Sequence, residues 1–213
     1  ENKSAVAVPH GRVIRLAASE TRVRTLPIDH PDAVLALYLQ GASRKLSDRA
    51  RFYLAGQVLN APFYQSLRTE QQMGYFVLCG AINMMQVPGL VFVVQSPNQT
   101  PDVIEAAMNE FLQGYGASLG IMTDAEFEQH RSSLISDVMR QEEKLRDRSG
   151  RYWLEIDREN YEFDSRERLS VAINEVSLGD FRQFFQTSVL DSARSRLVIR
   201  SFGAVKGAEE ALP

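Results

Sequence analysis

The chain of 213 residues carries one cysteine, Cys79, so no disulfide can close within it. Cys79 sits in an apolar run and reads as a small buried hydrophobe, not a reactive thiol. One buried thiol suits a periplasm and a cytoplasm alike, so the compartment stays open. Histidine is equally scarce: His10, His30 and His130 each stand alone. Neither H-E-x-x-H nor H-x-x-E-H occurs, so no helix offers two imidazoles and a carboxylate to a zinc ion. Glu126 and His130 could share a helical face, but two ligands without a third make a weak site, and a solvated face is the expectation there. No G-x-S-x-G elbow, P-loop or G-x-G-x-x-G is found, which leaves acyl-serine chemistry and nucleotide binding without support. No apolar run reaches the roughly 18 residues that a membrane-spanning helix needs. Cations are not in excess either. With 24 Lys and Arg against 27 Asp and Glu, the net charge is -3 and the pI about 5.7, so a nucleic-acid surface is not expected. No signal-peptide pattern opens the chain, and its start at Glu1 without Met leads us to expect a piece of something longer.

What is present has the composition of a globular domain, 44% hydrophobic and 24% charged, and is long enough to bury a sizeable core. Arg12 to Leu16 and Thr21 to Leu26 alternate polar and apolar, the pattern of half-buried strands. Pro27 to Pro31 make a break, and the apolar run Ala33 to Leu39 reads as a central strand. Ser47 is a candidate cap for a helix that carries Phe52, Tyr53, Ala55, Leu59 and Phe63 and runs to about Leu67. Strands are expected from about Gly74 to Ile82 and over Leu90 to Gln95, with Pro88-Gly89 as the punctuation of an antiparallel hairpin. Thr100-Pro101 opens a helix with an apolar stripe from Val103 to Tyr115. Thr123 and Glu126 form a capping box for the next, whose stripe runs from Phe127 to Met139. Charges of both signs from Arg140 to Arg151 read as a solvated helix face and turn. Asp164 and Ser177 are candidate caps for two more helices, and Arg196 to Ser201 alternates as a last strand. The order predicts an α+β domain over 1–203, a mostly antiparallel sheet with helices packed on one face, followed by a tail or linker at 204–213.

One stretch stands out. From Phe63 to Val77 the chain reads FYQSLRTEQQMGYFV, a polar knot running straight into a strand. Thr69 and Gln72 have capping-box spacing, which predicts a tight turn ending at Gly74. Arg68 would then sit at the break and Tyr75 at the start of the strand. A guanidinium fork and a phenolic hydroxyl aimed into the same space would suit a peptide carbonyl, or the oxyanion formed when that carbonyl is attacked. The same residues also allow a plainer arrangement, in which Arg68 faces the carbonyls of a helix C-terminus and Tyr75 packs as a strand aromatic.

This stretch resembles the F-x-x-L-R-T-x-E-Q-L-G-Y-x-V signature of the insulin-degrading enzyme and pitrilysin (insulinase) family of zinc metallopeptidases, where it belongs to the fourth, C-terminal domain. GLVFVVQS (Gly89 to Ser96) is similar to the strand that comes next, MTDAEFEQH (Met122 to His130) to the capped helix, and RYWLEIDRENYEFD (Arg151 to Asp164) to the Tyr-Trp-x-Glu-Ile helix. Arg12 to Gly41 fits the opening strands, so the resemblance covers roughly Arg12 to Gly203. Two positions depart from the signature: Gln71 stands for its Glu, and Met73 for its Leu. The first removes a charge and the second is a mild change in a packed site.

The resemblance implies the metallopeptidase-repeat fold shared with mitochondrial processing peptidase and LuxS. It implies a metalloendopeptidase that closes around a peptide, with the zinc motif in N-terminal catalytic domains of the same polypeptide and no metal bound by this chain. Arg68 and Tyr75 would be the donors that reach the substrate near the scissile bond. Thr69, Gln72 and Gly74 would support them. The fragment alone is expected to be inactive. A non-catalytic interaction or assembly domain of the same superfamily is the alternative, and a peptidase devoted to one small precursor is a narrower one.

Overall fold

The computed structural model describes residues 11–158, 160–190 and 194–203. His10 and the expected tail at 204–213 lie outside the described residues. Five strands form one sheet: β1 (Thr21–Thr25), β2 (Ala33–Gln40), β3 (Phe76–Met84), β4 (Val87–Ser96) and β5 (Arg196–Ser201), in the order β1-β5-β2-β4-β3. Only β1 and β5 run parallel; the other pairs are antiparallel, and β2 is central as its unbroken apolar run predicts.

Six helices follow the expected plan: α1 (Leu46–Tyr64), α2 (Pro101–Ile121), α3 (Asp124–Met139), α4 (Leu145–Asp157), α5 (Ser165–Asn174) and α6 (Leu178–Phe185). Alternation on the strands decides which face they cover. Leu35, Leu37 and Leu39 of β2 and Leu90, Phe92 and Val94 of β4 are buried, while their neighbours Val91 and Val93 are only half-buried. Phe63 of α1 joins the layers, its ring edge-on to Phe92 of β4 and to Phe111 of α2, each with centroids 5.3 Å apart. Cys79 lies in this core, as expected, and burial pushes its thiol well above the ordinary range.

Local signals fared unevenly. The Thr123–Glu126 capping box of α3 and the Ser177 cap of α6 form as read, and α2 starts at Pro101 with Thr100 at the N-cap position but without a side-chain cap bond. Asp164 occupies the N-cap position of α5 but makes no side-chain cap bond. Arg12 to Leu16 is not a strand. Gln40 at the end of β2 holds it by side-chain bonds instead, donating to Ile14 O at 3.0 Å and accepting from Leu16 N at 2.7 Å. The cap of α1 is Lys45, which leaves Ser47 inside the first turn. Pro88 and Gly89 lie within β4. The hairpin turns two residues earlier, at Met85 and Gln86, both in the left-handed region (φ 48° and 66°) that a two-residue type I′ turn requires. The charges of 140–151 are more than a solvated face: Glu142 bridges Arg151 and Arg166, and the Arg166 guanidinium also donates to the carbonyls of Val138 and Arg140.

Candidate functional site

The site stands where α1 hands over to β3. Pro62 lies inside α1 and removes the N–H that Val58 O would accept four residues back. The Tyr115 hydroxyl of α2 donates to that carbonyl at 3.1 Å, so the gap is filled from the neighbouring helix. Three residues on, the helix widens into a π-helical turn, Gln65–Glu70. Gln71 N–H reaches back five residues to Ser66 O at 2.9 Å, and Met73 N–H reaches six to Leu67 O at 2.8 Å. Between them Gln72 takes φ 51°, the left-handed conformation that ends many helices. Leu67 is fully buried and Met73 packs on the core, so the turn is pinned on its inner side.

Thr69 and Gln72 therefore do not pair as a capping box. Thr69 lies within the π-helical turn, exposed and without a side-chain hydrogen bond among the described residues, and Gln72 contributes its backbone conformation. The side-chain tie comes from Gln71, whose amide donates to Ser66 Oγ at 3.0 Å. A glutamate there would have no N–H to give. Arg68 is half-buried on this turn, and no described residue forms a hydrogen bond or ion pair with its guanidinium. The arrangement in which Arg68 caps the end of α1 is thus not the one adopted.

Gly74 comes next, at a backbone crossing. A Cβ built on it would lie 2.1 Å from Gln95 O, so only glycine fits against β4 here. That approach sets Tyr75 at the mouth of β3 with its ring 52% exposed, not packed as a core aromatic. Its hydroxyl accepts a hydrogen bond from Gln95 Nε2, which also donates to Asp32 Oδ2 at 3.1 Å. Hydrogen bonding with the Asp32 carboxylate, then loss of water, raises the Tyr75 hydroxyl above its usual range. Asp32 itself is only 7% exposed, and its backbone N–H donates to His30 Nδ1 at 3.1 Å. His30 is thus the turn residue its place before Pro31 suggests.

Asp32 and Gln95 are not among the residues that the sequence singles out, although each carries a signal. Gln95 ends the otherwise apolar LVFVVQ, and Asp32 stands directly before the apolar β2. The register brings them together, with Val34 and Phe76 both opposite Gln95. Arg68 on the pinned turn, with no bonded partner among the described residues, and the Tyr75 hydroxyl beyond it, once its proton turns from Asp32 to a ligand, are donors of the kind that bind a carbonyl oxygen and stabilise charge on it. Among the described residues no three His, Cys, Asp or Glu side chains gather to hold a metal ion.

Comparison with known proteins returns the same stretch. A family model described as PQQ synthase PqqF-like, C-terminal lobe domain 4, matches residues 54–153, which include Arg68 and Tyr75. The insulin-degrading enzyme of Drosophila melanogaster is 27% identical over 170 residues, 80% of this chain and 17% of that protein. The crystal structure of pitrilysin superposes with a TM-score of 0.83 at 22% identity, over 94% of this chain and 22% of that one. A peptidase M16 inactive domain from Pseudomonas fluorescens superposes at 0.67 with 12% identity, over 92% of this chain and 46% of that one. These two structural likenesses speak for the fold. The chain spans less than a fifth of the length of the sequence relatives it matches.

Proposed function

The matches support a C-terminal insulinase-family domain, and from that premise we propose that the chain is the substrate-handling domain of a zinc metalloendopeptidase. Peptide is the substrate class. The Arg68 guanidinium and Tyr75 hydroxyl donate to the scissile-bond region, and the zinc is held by N-terminal catalytic domains of the same polypeptide. The metal, when bound there, polarises the scissile carbonyl and activates water. This chain's part is to bind and orient the peptide and to offer N–H and O–H donors to the developing oxyanion.

The observation that carries the reading is the unpaired Arg68 guanidinium. A half-buried cation without a partner among the described residues, on a turn pinned by Leu67, Gln72 and Gly74, is a donor kept for something outside the domain. The outward apolar side of α4 supports the multidomain part: Leu145 is 82% and Trp153 65% exposed, which suits packing against other parts of the polypeptide.

The test uses the longest natural polypeptide that contains the chain. Replacing Tyr75→Phe or Arg68→Ala should lower kcat/KM for peptide hydrolysis by roughly ten- to a thousandfold, the scale of losing an oxyanion donor, with zinc content unchanged. Unchanged turnover refutes the role. A second reading, a non-catalytic interaction or assembly domain, is favoured by the likeness to the inactive M16 domain. An H-x-x-E-H in the same polypeptide discriminates: its presence supports the peptidase, its absence the interaction role.

A further inference from the structure

A cavity lies away from Arg68 and Tyr75, under α4. Its volume is about 680 Å³, and α1, α5 and the end of β3 form its other walls. Five arginines line it against two acids, Asp147 and Glu155. Two of the five are committed, since Arg151 and Arg166 share Glu142. Glu155 is committed as well, accepting from Asn160 at 2.6 Å and from Ser165.

Arg49 is different. It is 91% buried at 9% exposure, it faces this cavity, and no described residue hydrogen-bonds its guanidinium. Burial without a bonded anion lowers its pKa, with Tyr53 and Glu155 only partly offsetting the loss of water. A buried guanidinium with no partner is costly, and folded proteins leave few such groups unanswered. The same cavity holds a second unanswered atom of opposite character. Asn83 Oδ1, at the end of β3, is buried and accepts nothing. Beside both stand the apolar side chains of Val138, Leu154 and Leu169.

We propose that this cavity is a binding site for a carboxylate that has an N–H and an apolar side chain next to it, the chemistry of a peptide C-terminus. The guanidinium of Arg49 takes the carboxylate, with Arg146 and Arg158 adding charge at the rim. Asn83 Oδ1 takes the N–H. Val138, Leu154 and Leu169 receive the side chain. An inorganic oxyanion would answer Arg49 but leave Asn83 unpaired, and an apolar amide would do the reverse. The site is independent of the Arg68 and Tyr75 reading, because its readout is binding and not turnover.

The experiment is a titration of the longest natural polypeptide that contains the chain, followed by ligand-observed NMR. The probes are N-acetyl-leucine, N-acetyl-leucinamide, 4-methylpentanoate and inorganic phosphate. N-acetyl-leucine should bind at least about tenfold more tightly than each of the other three, and Arg49→Met should weaken it by about ten- to a hundredfold, the scale of a charge-assisted hydrogen bond. Asn83→Asp, a change at a hairpin end that sets a carboxylate against the ligand's own, should abolish binding. It decides the matter if Arg49→Met fails to fold. The proposal is overturned if phosphate or the amide binds as well as the acid, if no probe binds, or if Asn83→Asp binds unchanged.

Discussion

Replacing Tyr115 with Phe removes one oxygen and tests how α1 survives its internal proline. Pro62 has no N–H, so in its place the Tyr115 hydroxyl satisfies Val58 O at 3.1 Å. Val58 is fully buried, so water cannot take over. Leaving a buried carbonyl unanswered costs about 1–3 kcal/mol, and Tyr115→Phe should destabilise the chain by that amount in urea at pH 7 with little change in the slope. The decisive measurement is a double-mutant cycle. Pro62→Ala restores an N–H that can bond Val58 O, so the hydroxyl becomes redundant. Tyr115→Phe should then cost at least about 1 kcal/mol less in the Pro62→Ala background, well above the few tenths expected of uncoupled sites. Equal costs in the two backgrounds would refute the reasoning.

The same substitution has an alkaline signature. Burial pushes the Tyr115 hydroxyl up to about 12. An unfolded tyrosine titrates near 10, so between about pH 10 and 12 the unfolded chain has lost a proton that the native chain keeps. The unfolded state then binds fewer protons, and stability falls as pH rises through that window; below it the contribution is constant. The gap between wild type and Tyr115→Phe should therefore hold steady from pH 7 to 9 and narrow above 10. A gap that widens there would show the sign to be wrong.

Three further outcomes are expected. Gly74→Ala should lose about 1–3 kcal/mol or more, since its Cβ would sit 2.1 Å from Gln95 O, whereas Gly80→Ala in the β3 that follows, with nothing within 4 Å, should stay within about 0.5 kcal/mol by chemical denaturation; equal effects would contradict the close approach. Installing Met85→Asn with Gln86→Gly should raise the denaturation midpoint by about 0.5–1 kcal/mol equivalent, because both positions have positive φ, and a lower midpoint would rule out the type I′ turn. Thr123→Ala should cost about 1 kcal/mol by removing the hydroxyl that caps Glu126 N–H at 3.3 Å, measured as a midpoint shift and absent if α3 is held by packing alone.

The fold was legible wherever a side chain reports on its own neighbourhood. Alternation located β1 and β5, an unbroken apolar run located β2, and a β-branched run located β4. The Thr123–Glu126 box marked α3, and the Pro at 101 marked α2. The failures share a physical cause: a distant partner overrode a local signal. Arg12 to Leu16 alternates as a strand does, yet Gln40 takes the groups it would have used in a ladder. Pro88-Gly89 looks like a turn, yet β4 runs through it because Gly89 lets the backbone meet Tyr38, whose ring would lie 2.3 Å from a Cβ there. Met85-Gln86 carries no turn signature at all. Arg68 and Tyr75 were legible as residues, but Asp32 and Gln95 became visible only through the register that brings three strands to one end.

The stretch from Pro62 to Gly74 departs from regular helix at every step, and each departure has its own compensation. Tyr115 answers the proline, Ser66 and Leu67 answer the widened turn, and Gln95 accommodates Gly74. A chain that only had to join α1 to β3 could stop the helix at Pro62 with a short polar loop. Here instead the helix is carried past its own proline for eight more residues and closed by a residue at positive φ. One extra residue in a helical turn rotates the downstream side chains by about 100° relative to an α-helix. Leu67 can therefore stay fully buried while the residues after it are re-aimed. Single π turns gather at functional sites for this reason. It also predicts that deleting Thr69, which should return the turn to α-helical spacing, would spare the core and still remove the Arg68-dependent part of peptide turnover. Turnover that survives the deletion would mean that the widened turn serves packing alone.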